Sequence, residues 1–528
     1  MKNNMILLIT FIVALCSIVY EVLFSNSLSI VFGNTVVRYS ITIGLFLFFM
    51  GLGSMSYTYL NKRINDKFLF NIIELFLFLS GISSLLIIYL ADIYISRYIS
   101  LYVVYIPLTF IGFLSGLEIP ILSSLLKTNN WSKILGIDYF GSLAGTILFS
   151  LYLLPDFGTI NTILITSSLN LLALIIFNYT FNYNKYINII YIIILTVFSY
   201  YSITGNFSKK FNEFYIKEKI SQQFLVDKKK INVIASFDTE YQNVRYFNVG
   251  KEKCLMLDGN LQFCSSWVNV YHQNLFEIPL KFFKKDKKLN ILVLGGGDLI
   301  GLKHLLFHKE QINIIDLVDL DKKFLKWTKK NLKEFNKNSY KDEKVHIHNE
   351  DVYKFLSETN KKYDIVIYDL TALLSDKQLY INSKEFFSFL TNAMKEDGIF
   401  IKYSNGEMGF KLEDCENTTI KEREVLKYKD DLIKHIFLNT YKKAGFNYVK
   451  YVDGFSVFDN ISDDYFNEDY LILAKNNNKR KLILDKNEKD KFKYYKYIDQ
   501  KWTEIKYDNR VKENSIIYPN YKLIEYRY

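Results

Sequence analysis

The sequence predicts an α-helical membrane domain followed by a doubly wound α/β domain, with a small antiparallel β unit between them. The first 200 or so residues carry almost no charge, whereas Lys, Asp and Glu become dense from about Ser208 onward. Beyond residue 290, short β-rich segments alternate with segments of helical spacing. At 528 residues the chain is also too long for one ordinary domain.

Apolar runs long enough to cross a hydrocarbon core define the first part of the chain. Seven are predicted, the last of them short, near residues 5–31, 40–60, 68–91, 99–126, 134–154, 159–180 and 187–204. The first run is too long for the apolar part of a signal peptide, and further runs follow it, so no cleaved signal is expected. We therefore assign residues 1–205 to a multi-span transmembrane domain that contacts the lipid bilayer.

The charges between these runs do not decide the orientation of the domain. Lys and Arg number seven on one side and six on the other, so the positive-inside rule gives no answer. The net charge of +11 is explained by solvated lysines and by anionic lipid headgroups. No nucleic-acid motif accompanies that charge, so no nucleic-acid partner is expected.

Four ionisable residues lie within or at the edges of the apolar runs, namely Glu21, Glu74, Glu118 and Asp138. Such groups are costly at that depth and are functional candidates by default. Glu118 lies in "SGLEIP", where glycine and proline loosen a helix, whereas a structural role is expected for Glu74 and Asp138. The small residues of "GLGS" and "GSLAG" favour close helix packing.

Residues 231–280 are predicted to form the antiparallel β unit. The segments "INVIASF", "YQNVRYFNV", "KCLMLDG" and "NLQFC" are β-rich, and the "DG" predicts a hairpin turn. Cys254 and Cys264 flank this turn. Because the four cysteines show neither a disulfide framework nor a metal-ligand spacing, we expect two buried thiols rather than a bridge, and no metal.

Residues 285–475 alternate between strands and helices. The predicted strands are "LNILVLG", "INIIDLVDLD", "VHIHNED", "YDIVIYD" and "DGIFIKYS"; the predicted helices are "LIGLKHLLFHK", "KKFLKWTKKNLKEF" and residues 383–395. This alternation predicts a doubly wound parallel sheet, as in Rossmann-like domains. Residues 476–528 form a Lys- and Tyr-rich extension, which is either a further β segment or a surface-lying tail.

Acidic residues follow several of the predicted strands. Asp298 comes directly after a glycine loop that includes Gly295 and Gly297, and Asp319, Asp351 and Asp369 end later strands. The carboxyl ends of parallel strands meet at one edge of a sheet, so these four acids share a rim. A single strand-end aspartate is most often a helix cap, but four on one rim indicate a site.

The glycine loop does not fit a pyrophosphate. A dinucleotide fingerprint requires a third glycine where Ile300 stands, and the Asp298 carboxylate would repel phosphate. Asp319 lies about twenty residues on, where an acid can accept both ribose hydroxyls. The expected ligand is therefore an adenosine-like molecule with a cationic tail. S-adenosylmethionine and its decarboxylated form both satisfy this description.

The order of these motifs resembles that of a known family. The segments "VLGGGD", "LVDLDKKF", "NEDVYKFL", "YDIVIYDL" and "LYINSKEFF" are similar to those of the spermidine synthases (polyamine aminopropyltransferases). Upstream, "YQNVRYF", "LDGNLQ" and "YHQNLFEIPL" resemble the N-terminal β unit of that family, so the likeness covers roughly residues 231–405. The helical half resembles the subgroup that carries an N-terminal multi-span domain, and the implied fold is Rossmann-like of the methyltransferase type.

The resemblance implies roles for individual residues. A first group would hold the nucleoside: Gln242, Gly295, Gly297, Asp298, Asp319, Asp351 and Val352. A second group would line the amine end: Tyr271, His272 and Asp298, of which Asp298 would pair with the aminopropyl ammonium. Asp369 would be the general base, since an alkylammonium must lose a proton before it can attack carbon.

The chain also departs from the family pattern. Ala372 and Leu373 stand where the family has a second acid followed by proline, and Gln273 replaces a glutamate. Leu299 and Ile300 replace a glycine pair, while Lys303 and His304 occupy the usual basic-acidic pair. The nucleoside pocket is thus expected to be retained and the amine pocket altered.

The resemblance predicts a membrane-bound aminopropyltransferase that uses decarboxylated S-adenosylmethionine as co-substrate and putrescine or a similar amine as acceptor. Spermidine and methylthioadenosine would be its products, without a prosthetic group. Because that co-substrate is made in the cytosol, we expect an inner-membrane protein with a cytoplasmic soluble domain. Two alternatives stay open: an S-adenosylmethionine-dependent methyltransferase, and a non-catalytic transporter or sensor. A homo-oligomer is also left open.

Overall fold

The computed structural model describes residues 2–32, 35–126, 131–183, 185–370, 378–404, 420–454, 468–476 and 502–520. The chain divides into two compact units, Met1–Gln262 and Phe263–Tyr528.

The first unit is dominated by apolar helices. These are α1 (Lys2–Phe32), α2 (Thr35–Leu60), α3 (Asp66–Tyr94), α4 (Arg97–Val103), α5 (Tyr105–Leu125), α6 (Trp131–Leu148), α7 (Gly158–Thr180), α8 (Lys185–Thr204) and the polar α9 (Asn206–Phe224). Within the described residues, six helical stretches are long and apolar enough to cross a membrane. The sequence predicts seven runs, and the difference lies in one stretch, Trp131–Thr180, which covers two of them.

That stretch is 50 residues long and reverses direction near its middle. A π-helical turn, Phe149–Phe157, joins α6 to α7 and ends at Gly158, whose φ of +72° suits glycine. The Thr162 hydroxyl donates to the Leu153 carbonyl at 2.9 Å. In a straight helix, nine residues span about 13 Å, so this contact requires the chain to fold back. Residues 131–180 therefore provide two antiparallel passes.

Close helix packing depends on the small residues that the sequence singles out. A Cβ atom at Gly53 of α2 would lie 2.0 Å from the Phe113 carbonyl oxygen of α5, and one at Gly116 would lie 1.9 Å from that of Met50. Gly141 of α6 is similarly tight against the Phe11 carbonyl oxygen. These contacts bring backbones together as in membrane helix pairs, which confirms the prediction from "GLGS" and "GSLAG".

The small antiparallel sheet has the predicted strands: β1 (Ile231–Asp238), β2 (Asn243–Val249), β3 (Glu252–Leu257) and β4 (Asn260–Cys264), in that order. Asp258 and Gly259 link the last two with φ values of +48° and +77°, as a type I′ hairpin turn requires. The expectation of two free thiols is wrong, because Cys254 and Cys264 are both disulfide-bonded.

The second unit is built on an eight-stranded sheet of order β12-β10-β11-β9-β8-β5-β6-β7. Its strands are β5 (Leu289–Gly295), β6 (Ile312–Val318), β7 (Val345–His348), β8 (Tyr363–Asp369), β9 (Met394–Tyr403), β10 (Tyr448–Gly454), β11 (Glu468–Ala474) and β12 (Thr503–Glu504). Strands β5 to β9 pair in parallel, and the last three pair antiparallel. Strand β12 comes from the C-terminal extension, so that part of the extension is a further β segment.

Both faces of this sheet are buried. Along β5, Leu292 and Leu294 belong to one apolar cluster, whereas Ile291 and Val293 belong to another. A strand buried on both sides must be apolar throughout, which explains the continuous run "ILVL". The flanking helices are α10 (Val268–Glu277), α11 (Gly301–Leu306), α12 (Lys322–Asn331), α13 (Lys333–Asn336), α14 (Val352–Glu358), α15 (Lys384–Ala393) and α16 (Ile420–Lys443).

Candidate active site

The glycine loop after β5 packs directly against the end of β8. Gly295 and Gly296 have φ values of +83° and +74°, and the Gly296 amide donates to the Asp369 carbonyl at 3.0 Å. A Cβ atom at Gly295 would lie 2.2 Å from that carbonyl oxygen. β5 is paired with β8 on one side and β6 on the other, so the strand order reverses here. Ligands of doubly wound sheets bind in the crevice at such a point.

Asp298 and Leu299 complete the loop. One Asp298 oxygen, Oδ1, accepts a hydrogen bond from the Ile300 amide at 2.8 Å, which leaves Oδ2 for other partners. Leu299 has a φ of +64°, a conformation that a branched side chain adopts at a cost. Its side chain is fully buried in the core, which offsets that cost. The departure from the family's glycine pair thus gains apolar packing and keeps the turn.

Three predicted residues from three elements form one cluster. Ligand atoms of His272, Asp298 and Asp369 all lie within 4.8 Å of one another. The His272 Nε2 atom lies 3.2 Å from Asp298 Oδ2, and its Nδ1 lies 2.6 Å from the Val268 carbonyl oxygen within α10. The Tyr271 hydroxyl donates to Asp369 Oδ1 at 2.8 Å. The fold therefore brings the predicted amine-end residues to the predicted base; the expectation of no metal stays a prediction.

The charges in this cluster act on one another. Burial and the neighbouring Asp298 charge raise the pKa of Asp369 to about 6, although His272 and the Tyr271 hydrogen bond act in the opposite direction. Burial by itself lowers the pKa of His272, but Asp298 and Asp369 outweigh it and raise the pKa above its usual value. A carboxylate with a pKa near the working pH is a better proton acceptor than an ordinary one.

Asp319 faces the same glycine loop from the end of β6. Its Oδ1 accepts from the Asp321 amide at 2.9 Å, and a Cβ atom at Gly297 would lie 2.6 Å from its Oδ2. Burial raises the pKa of Asp319 to about 7, helped by the charges of Asp298 and Asp369. Only glycine at 297 leaves room for this carboxyl group against the loop.

Asp351 is a helix cap. It precedes α14, and its Oδ1 accepts from the Tyr353 and Lys354 amides at 2.8 and 3.1 Å. Its Oδ2 accepts from the Tyr380 hydroxyl at 3.2 Å. The next residue, Val352, is buried. A capping role and a contact with adenine use different oxygens, so the predicted adenine role of this pair stays a prediction.

Two further predictions are not tested by this geometry. Gln242 lies in the first compact unit, between β1 and β2 of the small sheet, where its backbone carbonyl accepts from the Thr239 amide at 2.8 Å. Its role in holding the nucleoside stays a prediction. The altered positions Ala372 and Leu373 lie outside the described residues.

Sequence reasoning missed the aromatic neighbours of Tyr271. The ring centroids of Tyr403 and Tyr470 lie 6.0 and 6.5 Å from that of Tyr271, and the Tyr470 hydroxyl donates to the Tyr271 carbonyl at 3.4 Å. Tyr403 ends β9 and Tyr470 lies within β11, far from Tyr271 in sequence. Tyrosines at such positions occur in many buried strands, so the sequence gives no specific signal for this contact.

A second missed feature lies on α10 and α11. Glu277 accepts from His304 Nδ1 at 3.0 Å and from His308 Nε2 at 3.2 Å. Burial opposes ionisation of Glu277, but the two imidazoles outweigh it and lower its pKa to about 2. The His304 ring stacks on His272 with centroids 6.4 Å apart, so the altered residue His304 supports the cluster from behind.

Comparison with known proteins identifies the family of this chain. Residues 268–459 match the family model of the spermine/spermidine synthase domain. The polyamine aminopropyltransferase 2 of Aquifex aeolicus is 31% identical over 447 residues, which are 83% of this chain and 82% of that protein. The polyamine aminopropyltransferase of Oceanobacillus iheyensis is 30% identical, over 73% of this chain and 75% of that protein.

Solved structures show a weaker similarity. A crystal structure of spermidine synthase in complex with the transition-state analogue AdoDATO is 20% identical, with a TM-score of 0.38, and covers 53% of this chain and 82% of that chain. The sequence relatives decide the matter: the chain as a whole is that of a group-transfer enzyme. The chain belongs to the polyamine aminopropyltransferase (spermidine synthase) family.

Proposed function

We propose that this chain is a multi-pass membrane protein whose α/β domain transfers the aminopropyl group of decarboxylated S-adenosylmethionine to putrescine or a similar diamine. The observation that supports this most strongly is the cluster of His272, Asp298 and Asp369. The Tyr271 hydroxyl donates a hydrogen bond to Asp369, the proposed base. Spermidine and methylthioadenosine would be the products.

The glycine loop and its acids suit a cationic nucleoside. Within the described residues, the Oδ2 atoms of Asp319 and Asp369 have no hydrogen-bond partner, and both lie against the glycines of the loop. Ribose hydroxyls would donate to Asp319. Besides burial, the charge of Asp298 raises the pKa of both Asp319 and Asp369, and a bound sulfonium or ammonium would relieve that repulsion.

The same repulsion favours the decarboxylated co-substrate. Intact S-adenosylmethionine carries a carboxylate at the end where Asp298 and Asp369 already lie close together. A third negative charge at that distance would be unfavourable in a half-buried site. An aminopropyl ammonium has three N–H donors and one positive charge, and it pairs with Asp298 instead.

Asp369 would act as the general base. The acceptor ammonium gives one proton to Asp369, and the freed nitrogen lone pair attacks the carbon bonded to the sulfonium. The carbon–sulfur bond breaks, its electron pair stays on sulfur, and the neutral thioether methylthioadenosine leaves. Tyr271 holds the carboxylate in position, and with His272 it keeps the pKa of Asp369 from rising further, so the base is ionised above pH 6 or so.

The proposed membrane attachment and orientation rest on separate observations. Six helical stretches in the described residues are long and apolar enough to span a bilayer. The co-substrate is a cytosolic metabolite, which favours a cytoplasmic α/β domain. The disulfide-bonded state of Cys254 and Cys264 is typical of oxidising compartments and favours the opposite side. Labelling of single cysteines introduced at exposed Leu225 and Phe307, in intact cells, would decide the side.

The test of the reaction uses the full chain purified in detergent. It is incubated with decarboxylated S-adenosylmethionine and putrescine, and release of methylthioadenosine is followed by chromatography. Cadaverine, spermidine and 1,3-diaminopropane serve as alternative acceptors, because the changes at Ala372 and Leu373 alter the amine pocket. Absence of product with every acceptor, despite measurable binding of the co-substrate, would contradict the proposal and favour a nucleoside sensor.

A further inference from the structure

The core of the helical unit contains two carboxyl groups that the reaction does not use. Glu74 of α3 is fully buried and Glu118 of α5 is 2% exposed. Their side chains lie within hydrogen-bonding reach of each other. Neither has an ion-pair partner within the described residues. Two acids in apolar surroundings, without a cation, are an expensive arrangement that packing alone does not require.

The polar neighbours of this pair use only part of its capacity. Asn170 Nδ2 donates to Glu74 Oε2 at 2.9 Å, and the Ser17 hydroxyl lies 3.3 Å from Glu118 Oε2. Among the described residues, three buried acceptor atoms here have no partner: Glu74 Oε1, Glu118 Oε1 and Asn170 Oδ1. Asn170 is 1% exposed, and its amide is bonded to Glu74, so its orphaned oxygen lies beside the pair. Unsatisfied buried acceptors are rare and point to a missing donor.

The pair lies well inside the helices. The Ser124 hydroxyl donates to Asp66 Oδ2 at 2.6 Å, so the end of α5 and the start of α3 are level. Glu74 follows Asp66 by eight residues and Glu118 precedes Ser124 by six. At 1.5 Å per residue, the carboxyl groups are about 12 and 9 Å from that end. In a bilayer this depth is within the hydrocarbon region.

A second polar contact leads from the pair toward the same end. Asn178 Nδ2 of α7 donates to Asn71 Oδ1 of α3 at 2.8 Å. The Asn178 Oδ1 atom is again a buried acceptor without a partner in the described residues. Asn71 precedes Glu74 by one helical turn, so polar groups line one side of the route from the helix end to the carboxyl groups.

We propose that Glu74, Glu118 and Asn170 form a binding site for a primary ammonium group within the membrane domain. Three orphaned acceptors match the three N–H donors of a primary ammonium. When the acid pair shares one proton it carries a single negative charge, so one ammonium makes the site neutral, and an oxygen that shares the proton keeps a second lone pair for an N–H donor. The choice of an amine as ligand rests on the proposed function, because the reactants and the product of that reaction are alkylamines. The existence of a cation site at these residues does not rest on the proposed function.

The test counts putrescine molecules bound per chain. Equilibrium dialysis of labelled putrescine against the full-length protein in detergent is compared for wild type, Glu74→Gln and Glu118→Gln. Both changes keep the side-chain shape and remove the charge. Glu21→Gln, in the same kind of apolar helix and 6% exposed, is the matched control. Thermal unfolding followed by tryptophan fluorescence checks that each variant is folded.

The expected result is the loss of one bound putrescine in Glu74→Gln and in Glu118→Gln, with Glu21→Gln like wild type and methylthioadenosine release unchanged in all three. Full putrescine binding in folded Glu118→Gln protein would overturn the proposal. Equal loss in Glu21→Gln would do so too. A parallel dialysis with labelled sodium distinguishes an ammonium site from a metal-ion site. If the two variants lost bound sodium and kept bound putrescine, the ammonium assignment would be overturned. If the wild-type protein showed no methylthioadenosine release but still bound putrescine at the Glu74–Glu118 site, only the proposed function would fail.

Discussion

The two acidic clusters of this protein differ in whether a group that can carry a positive charge lies beside the carboxyl groups. At the glycine loop, His272 Nε2 lies 3.2 Å from Asp298 Oδ2, and Asp369 receives the Tyr271 hydroxyl. In the helical unit, Glu74 and Glu118 have no ion-pair partner within the described residues, and each keeps one fully buried oxygen without a hydrogen-bond partner there. A catalytic carboxylate must be held in place and kept ionised, whereas a binding site for a cation leaves its own charge unpaired. We therefore propose chemistry for the first cluster and cation binding for the second.

The largest expected effect separates the two clusters directly. Asp369→Asn keeps the shape of the side chain but removes the base, so kcat should fall by roughly 10²- to 10⁴-fold. Glu118→Gln should leave kcat unchanged. Both are measured as the initial rate of methylthioadenosine formation at saturating substrates, with binding of the co-substrate as the check that Asp369→Asn is folded. Comparable losses of kcat in both variants would contradict the different roles proposed for the two clusters.

The next effect concerns the packing behind the glycine loop, with an open position in the helical unit as the control. A Cβ atom at Gly301 would lie 2.1 Å from the Phe276 ring, in the core behind the loop. Gly301→Ala should therefore cost about 1–3 kcal/mol of unfolding free energy. At Gly51 in α2 a Cβ atom meets nothing within 4 Å, so Gly51→Ala is the control, and it should leave the melting temperature equal or higher. A melting temperature of Gly301→Ala equal to wild type would show that Phe276 moves aside freely.

A smaller effect tests the two uses of Asp351. Asn is an equally good helix cap, so Asp351→Asn should leave the melting temperature unchanged. It should raise the KM for decarboxylated S-adenosylmethionine about tenfold, because one charge-assisted hydrogen bond to adenine is lost. Steady-state kinetics with the co-substrate varied measures this. If the KM of Asp351→Asn were unchanged and Asp351→Ala were less stable than wild type, Asp351 would act only as a helix cap.

The smallest effect is a shift of the pH profile. The ionised form of Asp369 is the active one, so kcat/KM should fall as the pH drops below about 6, where that carboxylate takes up a proton. The Tyr271 hydrogen bond holds the pKa down; Tyr271→Phe should therefore move the acidic limb to higher pH. Profiles of kcat/KM for the two proteins, measured in one buffer series, show the shift. If the acidic limb of the Tyr271→Phe profile coincided with that of wild type, a group other than Asp369 would set that limb.

Much of the site could be predicted from the sequence. Three strands of the parallel sheet each carry their own signal, an apolar run that leads into Gly295, Asp319 or Asp369. Because parallel strands end at one edge, that local pattern already predicts a shared rim. Tyr271 and His272 could be assigned only through the family resemblance, since a Tyr-His pair in an amphipathic helix is by itself unremarkable in sequence.

The remaining features depend on partners distant in the chain. Nothing in the segment around Glu74 indicates Glu118 or Asn170 as neighbours, and the structural role expected for Glu74 stays a prediction. Two free thiols were expected at Cys254 and Cys264, which are disulfide-bonded, because spacing along the chain does not fix whether a sulfur meets a partner. The reversal at Gly158 is another such case, since a π-helical turn has no distinct sequence pattern.

The local elements could be derived from the sequence alone: apolar runs, strand periodicity, the hairpin turn at Asp258 and Gly259, and the acids that end the strands. These follow from local backbone preferences and from side-chain burial at a fixed period. Which partners each carboxyl group meets follows from the tertiary structure alone. Hydrogen bonds such as that of Tyr271 with Asp369 join residues far apart in the chain, and their geometry is set by the packing of whole helices and strands.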